Sequence, residues 1–197
     1  LQDESRHSYG NGRGEAALRR AVSADLAARC GQEFDPASEL MIVPGGKMGI
    51  YEALAALLSP GDPVLVPEPC WLSYPGMIAM CRGRAVMVSG RPEEGFPPLL
   101  QKLEHHLKSG PAGLILNSPN NPSGAVLGPE EIKVLESLAD RIRFIIADEV
   151  YDRILFDNCR HRSIMTSSVL RAKTIMVNSF SKTLAVPGWR LGYVAAP

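Results

Sequence analysis

The stretch that decides the fold is residues 112–147, AGLILNSPNNPSGAVLGPEEIKVLESLADRIRFIIA. Its two apolar runs, 112–116 and 144–147, have the length of buried strands and are too short to cross a membrane. Between them, residues 129–139 are predicted to form a helix that opens at Pro129, a residue suited to the first helical position. A strand, a helix and a second strand in this order predict parallel strands.

The same alternation of helices and strands runs along the whole chain. Helices are predicted at residues 15–30, 47–58, 71–81, 98–108 and 129–139, and strands at residues 39–43, 64–66, 85–88, 112–116, 144–147, 174–178 and 190–195. Several strands are continuous apolar runs, which is typical of parallel strands covered on both sides. The sequence therefore predicts an α/β fold, with a mostly parallel sheet and helices on both faces in three α/β/α layers.

Composition limits the class of protein. The chain has 197 residues, and 45% of them are hydrophobic, which is enough for the core of one domain. Its 21 basic and 21 acidic residues balance, so the charge predicts no nucleic-acid partner, and no apolar run predicts a membrane span. The four cysteines match no zinc pattern, and we expect free thiols in a reducing compartment, with disulfides as the alternative.

In such a sheet a ligand binds beyond the carboxyl ends of the strands, so the loops there carry the candidate site residues. After the first strand, Gly46 and Lys47 begin a helix whose free N–H groups favour an anion such as phosphate, although a plain turn is the alternative. Trp71 could stack on a planar ring or belong to the core or surface. Asn121 lies in residues 117–124, a loop constrained by two prolines and a glycine.

Two later loops carry charged residues. Asp148 directly follows an apolar strand, so we expect it to be partly buried beside a cation, either a structural arginine or a protonated ligand nitrogen. Lys182, beside Ser179 and Ser181, could act as a Schiff-base nucleophile or simply be solvated. Arg190 could bind a phosphate through two guanidinium N–H groups.

Together these loops resemble the class I/II aminotransferases, the fold-type-I family that depends on pyridoxal phosphate. Residues 117–124 match the family's asparagine–proline loop, residues 147–151 match its aspartate–tyrosine segment, and residues 179–193, SFSKTLAVPGWRLGY, match its lysine motif, the most specific of these. Tyr9 and the residues after it are similar to the family's entry segment. Because these segments agree in order and spacing, the resemblance covers nearly the whole chain.

The resemblance implies a role for each residue around the cofactor ring. Lys182 would hold pyridoxal phosphate as a Schiff base and then act as the general base, moving a proton between the substrate's α-carbon and the cofactor's C4′ carbon. Asp148 would keep the pyridine nitrogen protonated, which makes the ring a better electron sink. Tyr151 and Asn121 would hydrogen-bond the phenolic oxygen of the ring, and Trp71 would stack on its face.

The resemblance also implies how the phosphate is held. The groups that would bind it are the backbone amides of Gly46 and Lys47, the hydroxyls of Ser179 and Ser181, and Arg190. Tyr9 would reach the phosphate of a neighbouring subunit, which implies a homodimer.

By the same resemblance, residues 1–197 would form the cofactor-binding large domain alone, and the family's N-terminal arm and C-terminal small domain would be absent. The predicted activity is transfer of an amino group between an amino acid and a 2-oxo acid, in the cytoplasm or, as an alternative, in mitochondria. We predict no metal site. Two alternatives stay open: a C–S lyase or cyclising synthase using the same cofactor, and a non-catalytic aminotransferase-like sensor domain.

Overall fold

The computed structural model describes residues 9–89, 96–110 and 112–197, without the side chains of residues 96–101. The helices are α1 (Ala16–Cys30), α2 (Gly46–Leu57), α3 (Ser73–Met80), α4 (Phe96–Leu107), α5 (Pro129–Leu138), α6 (Ser168–Arg171) and α7 (Phe180–Thr183). The strands are β1 (Leu40–Val43), β2 (Pro63–Glu68), β3 (Arg84–Ser89), β4 (Ala112–Asn117), β5 (Ile142–Asp148), β6 (Thr174–Ser179) and β7 (Gly192–Ala195). Short 3₁₀ turns lie at Ala139–Arg141, Ile164–Thr166 and Pro187–Trp189.

The strands form one sheet in the order β1-β7-β6-β5-β4-β2-β3. Strand β7 runs antiparallel to both of its neighbours, and the other paired strands are parallel. The prediction of a mostly parallel sheet is therefore confirmed. Asn117 pairs with Asp148, and Asp148 pairs with Val177, so β4, β5 and β6 end at the same edge of the sheet.

Alternation along β5 shows why the sheet is covered on both faces. Ile145 belongs to a core cluster with Leu135 of α5, and that cluster also contains residues of α4 and α6. Its neighbour Ile146 belongs to a second cluster with Leu54 of α2 and residues of α3. Because successive strand residues point to opposite faces, one apolar run supplies both cores. Helix α1 packs against β1, β6 and β7 through a third cluster that includes Met176.

Several boundaries differ by one or more residues from the sequence prediction, and two of these differences have a local physical reason. The strand predicted at residues 64–66 is too short, because β2 continues through Pro67 to Glu68. Strand β4 pairs with β2 only at Val64 and Leu65, so the missing N–H of Pro67 interrupts no ladder on that side. The last strand begins at Gly192 and not at residue 190, because Arg190 ends a 3₁₀ turn in the left-handed region with φ of 51°.

Some short elements were not predicted at all. Helices α6 and α7 have four residues each, too few to show a helical period in the sequence.

Helix α3, predicted at residues 71–81, begins at Ser73 and contains Pro75. This proline is tolerated because the N–H groups of a first turn have no acceptor within the helix.

The cysteines Cys30, Cys70, Cys81 and Cys159 are free thiols. Within the described part of the chain, no helix combines the length and the apolar character that a membrane span needs. The residues that the structure describes also contain no group of three or more His, Cys, Asp and Glu side chains that could hold a metal ion.

Candidate active site

A cavity of about 260 Å³ lies beyond the carboxyl ends of the strands. The carboxyl ends of β1, β2, β4 and β5 and the segments that follow them contribute these residues to its wall: Gly46, Lys47, Trp71, Asn121, Asp148 and Tyr151. The segment after β6 contributes Ser179, Ser181, Lys182 and Arg190. The fold thus brings together all the predicted site residues except Tyr9, which is fully exposed and does not line this cavity.

Asp148 lies at the buried base of the cavity, at the end of β5, and is only 4% exposed. Its Oδ2 accepts a hydrogen bond from the Tyr74 hydroxyl at 2.6 Å, and its Oδ1 accepts one from the Val150 N–H at 3.3 Å. Burial raises the pKa of Asp148 to about 6, although both hydrogen bonds act to lower it. A buried carboxylate with neutral donors alone is well placed to receive a cationic ligand group.

The sequence left open whether a structural arginine neutralises Asp148. Among the residues that the structure describes, no lysine or arginine forms an ion pair with this carboxylate. The positive charge that Asp148 would favour can therefore come from a ligand nitrogen, the second possibility that the sequence raised.

An anion cradle lies on the side of the cavity near α2. Gly45 has φ of +86°, and a Cβ atom at that position would lie 2.5 Å from Nη2 of Arg190. A Cβ atom on Gly192 would lie 2.9 Å from the backbone nitrogen of Gly46. Glycine at both positions therefore lets the Arg190 guanidinium and the start of α2 come close together. The first N–H groups of a helix have no acceptor within it, so they and the guanidinium can bind one anion.

Two hydroxyls complete this cradle. The Ser179 hydroxyl donates to Oγ of Ser181 at 2.8 Å, and Ser179 also accepts the N–H of Ser181 as the N-cap of α7. Arg190 donates from Nη1 to the carbonyl oxygen of Pro187 at 2.8 Å, which holds the guanidinium at the end of its turn.

Aromatic and basic side chains form the rest of the wall. The amine of Lys182 lies 5.7 Å from the centre of the Tyr151 ring, and the amine of Lys47 lies 5.2 Å from the centre of the Trp71 ring. Lys182 is solvent-exposed, whereas Tyr151 and Trp71 are half-buried. A primary amine that is accessible from solvent can react with a carbonyl group of a ligand. The buried Asp148 carboxylate in the same cavity can pair with a basic nitrogen of that ligand.

The asparagine loop is fixed by one buried side chain. Asn117 accepts the N–H of Asn121 at 2.7 Å and donates from Nδ2 to the carbonyl oxygen of Asp148 at 2.9 Å. In a further hydrogen bond, Nδ2 of Asn120 donates to the carbonyl oxygen of Pro69 at 3.0 Å. The backbone at Asn120 and Asn121 is therefore fixed beside the cavity, and Asn121 is part of the cavity wall.

Four further residues line the cavity that sequence reasoning did not select: Tyr74, Asn117, Val150 and Pro187. Tyr74 had a usable signal, because it follows Trp71 by three residues and such a spacing places two side chains on one helix face. Nothing in the local sequence indicated that its hydroxyl would reach Asp148.

Comparison with known proteins identifies the family of this chain. The sequence matches the family Aminotransferase class I and II over residues 1–197. The aspartate aminotransferase of Pyrococcus abyssi is 35% identical over 96% of this chain and 49% of its own length. The aromatic-amino-acid aminotransferase 2 of Thermococcus litoralis is 34% identical over 99% of this chain and 50% of its own length.

Solved structures show the same relationship. An aromatic aminotransferase from Pyrococcus horikoshii superposes with a TM-score of 0.91 at 36% identity, over 96% of this chain and 51% of that structure. The aspartate aminotransferase of Thermus thermophilus with maleate has a TM-score of 0.88 at 34% identity, over 96% of this chain and 49% of that structure. The chain belongs to the class I and II aminotransferase family, so the predicted resemblance and fold are confirmed. It spans about half the length of the curated relatives it matches.

Proposed function

We propose that this protein is a pyridoxal-phosphate-dependent aminotransferase, which moves an amino group between an amino acid and a 2-oxo acid. The observation that carries the proposal is one cavity that combines an exposed lysine amine, an anion cradle and a buried carboxylate, which forms no ion pair with any lysine or arginine that the structure describes. Aminotransferases of aspartate and of aromatic amino acids are among the relatives, and the proposal names the substrates by this chemical class, amino acids and 2-oxo acids.

The residues present fit the cofactor. Its phosphate would be held by the start of α2 at Gly46 and Lys47, by the hydroxyls of Ser179 and Ser181, and by Arg190. The glycine positions beside Arg190 support this assignment, because a Cβ atom at Gly45 would crowd the guanidinium. When bound, pyridoxal phosphate supplies an electron-withdrawing ring that stabilises negative charge at the α-carbon of an amino acid.

The protein's own residues would hold and orient that ring. Asp148 would accept a hydrogen bond from the protonated pyridine nitrogen, and this pairing would offset the cost of burying its charge. Trp71 would stack against the ring face. Tyr151 and Asn121 would donate hydrogen bonds to the phenolic oxygen of the ring.

Lys182 would carry out two tasks. Its amine would bind the cofactor covalently in the resting enzyme, as a nucleophile toward a carbonyl group. Once an amino acid displaces it, the same amine would take the proton from the substrate's α-carbon as a general base. Its exposed position at the cavity agrees with both tasks, since it must reach the cofactor and the arriving substrate.

The larger assembly is also a proposal. Residues 1–197 would form the cofactor-binding large domain of a homodimer, and Tyr9 would bind the phosphate in the neighbouring subunit. The full exposure of Tyr9 supports this, because its side chain is free to contact another chain. We propose a cytoplasmic location, which agrees with four free thiols.

The experiment is covalent trapping of the cofactor in the full-length protein. Incubation with pyridoxal phosphate and reduction with borohydride are expected to leave a phosphopyridoxyl group on the peptide that contains Lys182, detected by mass spectrometry. Lys182→Arg should abolish this adduct while keeping the positive charge. Lys47→Arg is the matched control, because Lys47 is the other lysine of the cavity wall, and it should leave the adduct in place.

Product analysis then separates the reaction classes. With an amino acid and a 2-oxo acid, a transaminase forms the second amino acid, whereas a lyase releases a leaving group and ammonia. A folded natural-length protein that forms no adduct at Lys182, or forms it only at Lys47, would overturn the proposal. An adduct without any turnover of amino acids would favour the sensor alternative.

A further inference from the structure

Tyr74 is the most deeply buried aromatic residue that contacts the base of the cavity. It lies in α3, is 1% exposed, and packs in the core cluster that contains Ile146 of β5. Its ring meets the Trp71 ring edge to face, with the ring centres 5.4 Å apart. Its hydroxyl lies 2.6 Å from Oδ2 of Asp148. Packing and hydrogen bonding therefore fix the position of this hydroxyl.

The pKa values of the Tyr74 phenol and the Asp148 carboxyl group decide which of them donates the hydrogen bond. Burial and the neighbouring Asp148 carboxylate raise the pKa of Tyr74 well above its ordinary value, so the phenol keeps its proton and donates. Donation favours the charged form of Asp148, whereas burial favours the neutral form. The Tyr74 hydroxyl is thus the only side-chain donor to this carboxylate among the described residues.

We propose that Tyr74 is a positioning residue for the reaction: its hydroxyl orients Asp148 and keeps it charged, so that the pyridine nitrogen of the cofactor stays protonated. The inference rests on the proposed function and deepens it. Tyr74 does not itself exchange a proton with the substrate. It acts through Asp148, because the carboxylate has one oxygen on the phenol and the other on a longer bond to the Val150 backbone.

The structure allows a clean substitution. Tyr74→Phe removes the hydroxyl and keeps the ring that packs against Trp71. Tyr51→Phe is the matched control, because Tyr51 is a half-buried residue that packs on the same core cluster, whereas the described donors to the Asp148 carboxylate are Tyr74 and the Val150 backbone. Thermal unfolding of both variants shows whether each one folds.

The readout is the protonation state of the pyridine nitrogen, observed by ¹⁵N NMR. The sample is the full-length holoenzyme reconstituted with ¹⁵N-labelled pyridoxal phosphate. Wild type and Tyr51→Phe are expected to show the pyridinium signal at neutral pH. In Tyr74→Phe the nitrogen should lose its proton at a pH at least about one unit lower, with roughly tenfold weaker cofactor binding, as expected for loss of a hydrogen bond to a charged group.

A second change covers the case in which Tyr74→Phe does not fold. Replacing Tyr74 alone by 3-fluorotyrosine keeps the ring and makes the hydroxyl a stronger donor. The nitrogen should then keep its proton to a higher pH than in wild type.

The outcomes separate the inference from the function on which it rests. If wild type binds the cofactor at Lys182 and neither change at Tyr74 moves the nitrogen titration, Tyr74 has only a structural role and the inference is wrong. If Tyr51→Phe moves the titration as much as Tyr74→Phe, the effect is not specific and the inference is also wrong. If wild type forms no adduct at Lys182, the proposed function itself fails, and the inference fails with it.

Discussion

Asp148 and Glu149 are consecutive buried carboxylates at the end of β5, yet they face opposite sides of the sheet. Asp148 faces α3 and the cavity, where Tyr74 is its side-chain partner. Glu149 faces the other core and has three partners: the Ser163 hydroxyl at 2.9 Å, the Ile164 N–H at 3.1 Å and the His161 ring at 3.1 Å.

The difference shows that two adjacent carboxylates at one strand end can have unequal hydrogen bonding, with Asp148 at the cavity and Glu149 in a buried polar cluster. The protein itself satisfies Glu149, so this residue connects β5 to the segment around residue 163. Asp148 has fewer donors, and its raised pKa of about 6 shows that the folded chain has not fully compensated the burial of its charge. A group left in this state favours a cationic ligand. Five predictions test this contrast.

The largest effect is expected for Asp148→Asn. An amide in place of the carboxylate cannot keep the pyridine nitrogen protonated, so kcat of the proposed amino-group transfer should fall by roughly a thousandfold, the scale of losing one preorganised electrostatic group. Steady-state kinetics with saturating cofactor measures this loss. Glu149→Gln is the control on the opposite face, and its kcat should stay close to that of wild type. Equal losses in the two variants would refute the division of roles.

Glu149→Ala should instead destabilise the fold. Removing one member of a buried polar cluster leaves Ser163, Ile164 and His161 without their acceptor, and the expected loss in the free energy of unfolding is about 4 kcal/mol. Urea unfolding of the apoprotein measures it. Glu149→Gln keeps an acceptor oxygen and should lose less. A loss below about 1 kcal/mol would mean that this cluster contributes little to stability.

The pH dependence of the apoprotein should reveal Asp148. Its pKa in the folded state is raised from an ordinary 3.8 to about 6. The folded state therefore binds the proton more tightly than the unfolded state does. This contribution to the free energy of unfolding is fully present below about pH 4 and is lost as the pH rises through 6. The loss is about 3 kcal/mol, and Asp148→Asn should remove it, so the variant apoprotein becomes the more stable one at neutral pH. Unfolding curves from pH 4 to 8 measure both proteins.

The cofactor should reverse this trend, because its pyridinium nitrogen pairs with the charged carboxylate. Binding of pyridoxal phosphate is therefore expected to stabilise wild type more at pH 7 than at pH 5, and this gain should be absent in Asp148→Asn. An apoprotein whose stability follows the same pH profile in wild type and variant would contradict the raised pKa.

The smallest effect is expected for Ser163→Ala. It removes a donor to Glu149 and the N-cap of a 3₁₀ turn, with an expected loss of about 1.5 kcal/mol in the free energy of unfolding. Cofactor binding should not change, in contrast to Tyr74→Phe on the other face. Ser137→Ala, on the exposed side of α5, is the control and should leave stability nearly unchanged. A change in cofactor affinity in Ser163→Ala would show that the two faces are coupled.

Much of the fold could be predicted from local sequence. Apolar runs such as 112–116 and 144–147 identified β4 and β5, and Pro129 marked the start of α5, because strand and helix patterns repeat within a few residues. The candidate site residues followed from the rule that ligands bind at the carboxyl ends of the strands, together with the family resemblance. Boundaries failed where one residue decided them, as at Arg190, whose left-handed conformation delays β7 to Gly192.

The sequence by itself determined the order of the main helices and strands, and it predicted a candidate site in the loops after the strands, with Lys182 and Asp148 at its centre. Only the tertiary structure decided that Tyr74 donates to Asp148 across 74 residues of chain, and that Glu149 faces the other core. The physical reason is that local patterns depend on the chain's own periodicity. A contact between distant residues depends instead on which helix packs on which face of the sheet, and that choice is made by the whole core.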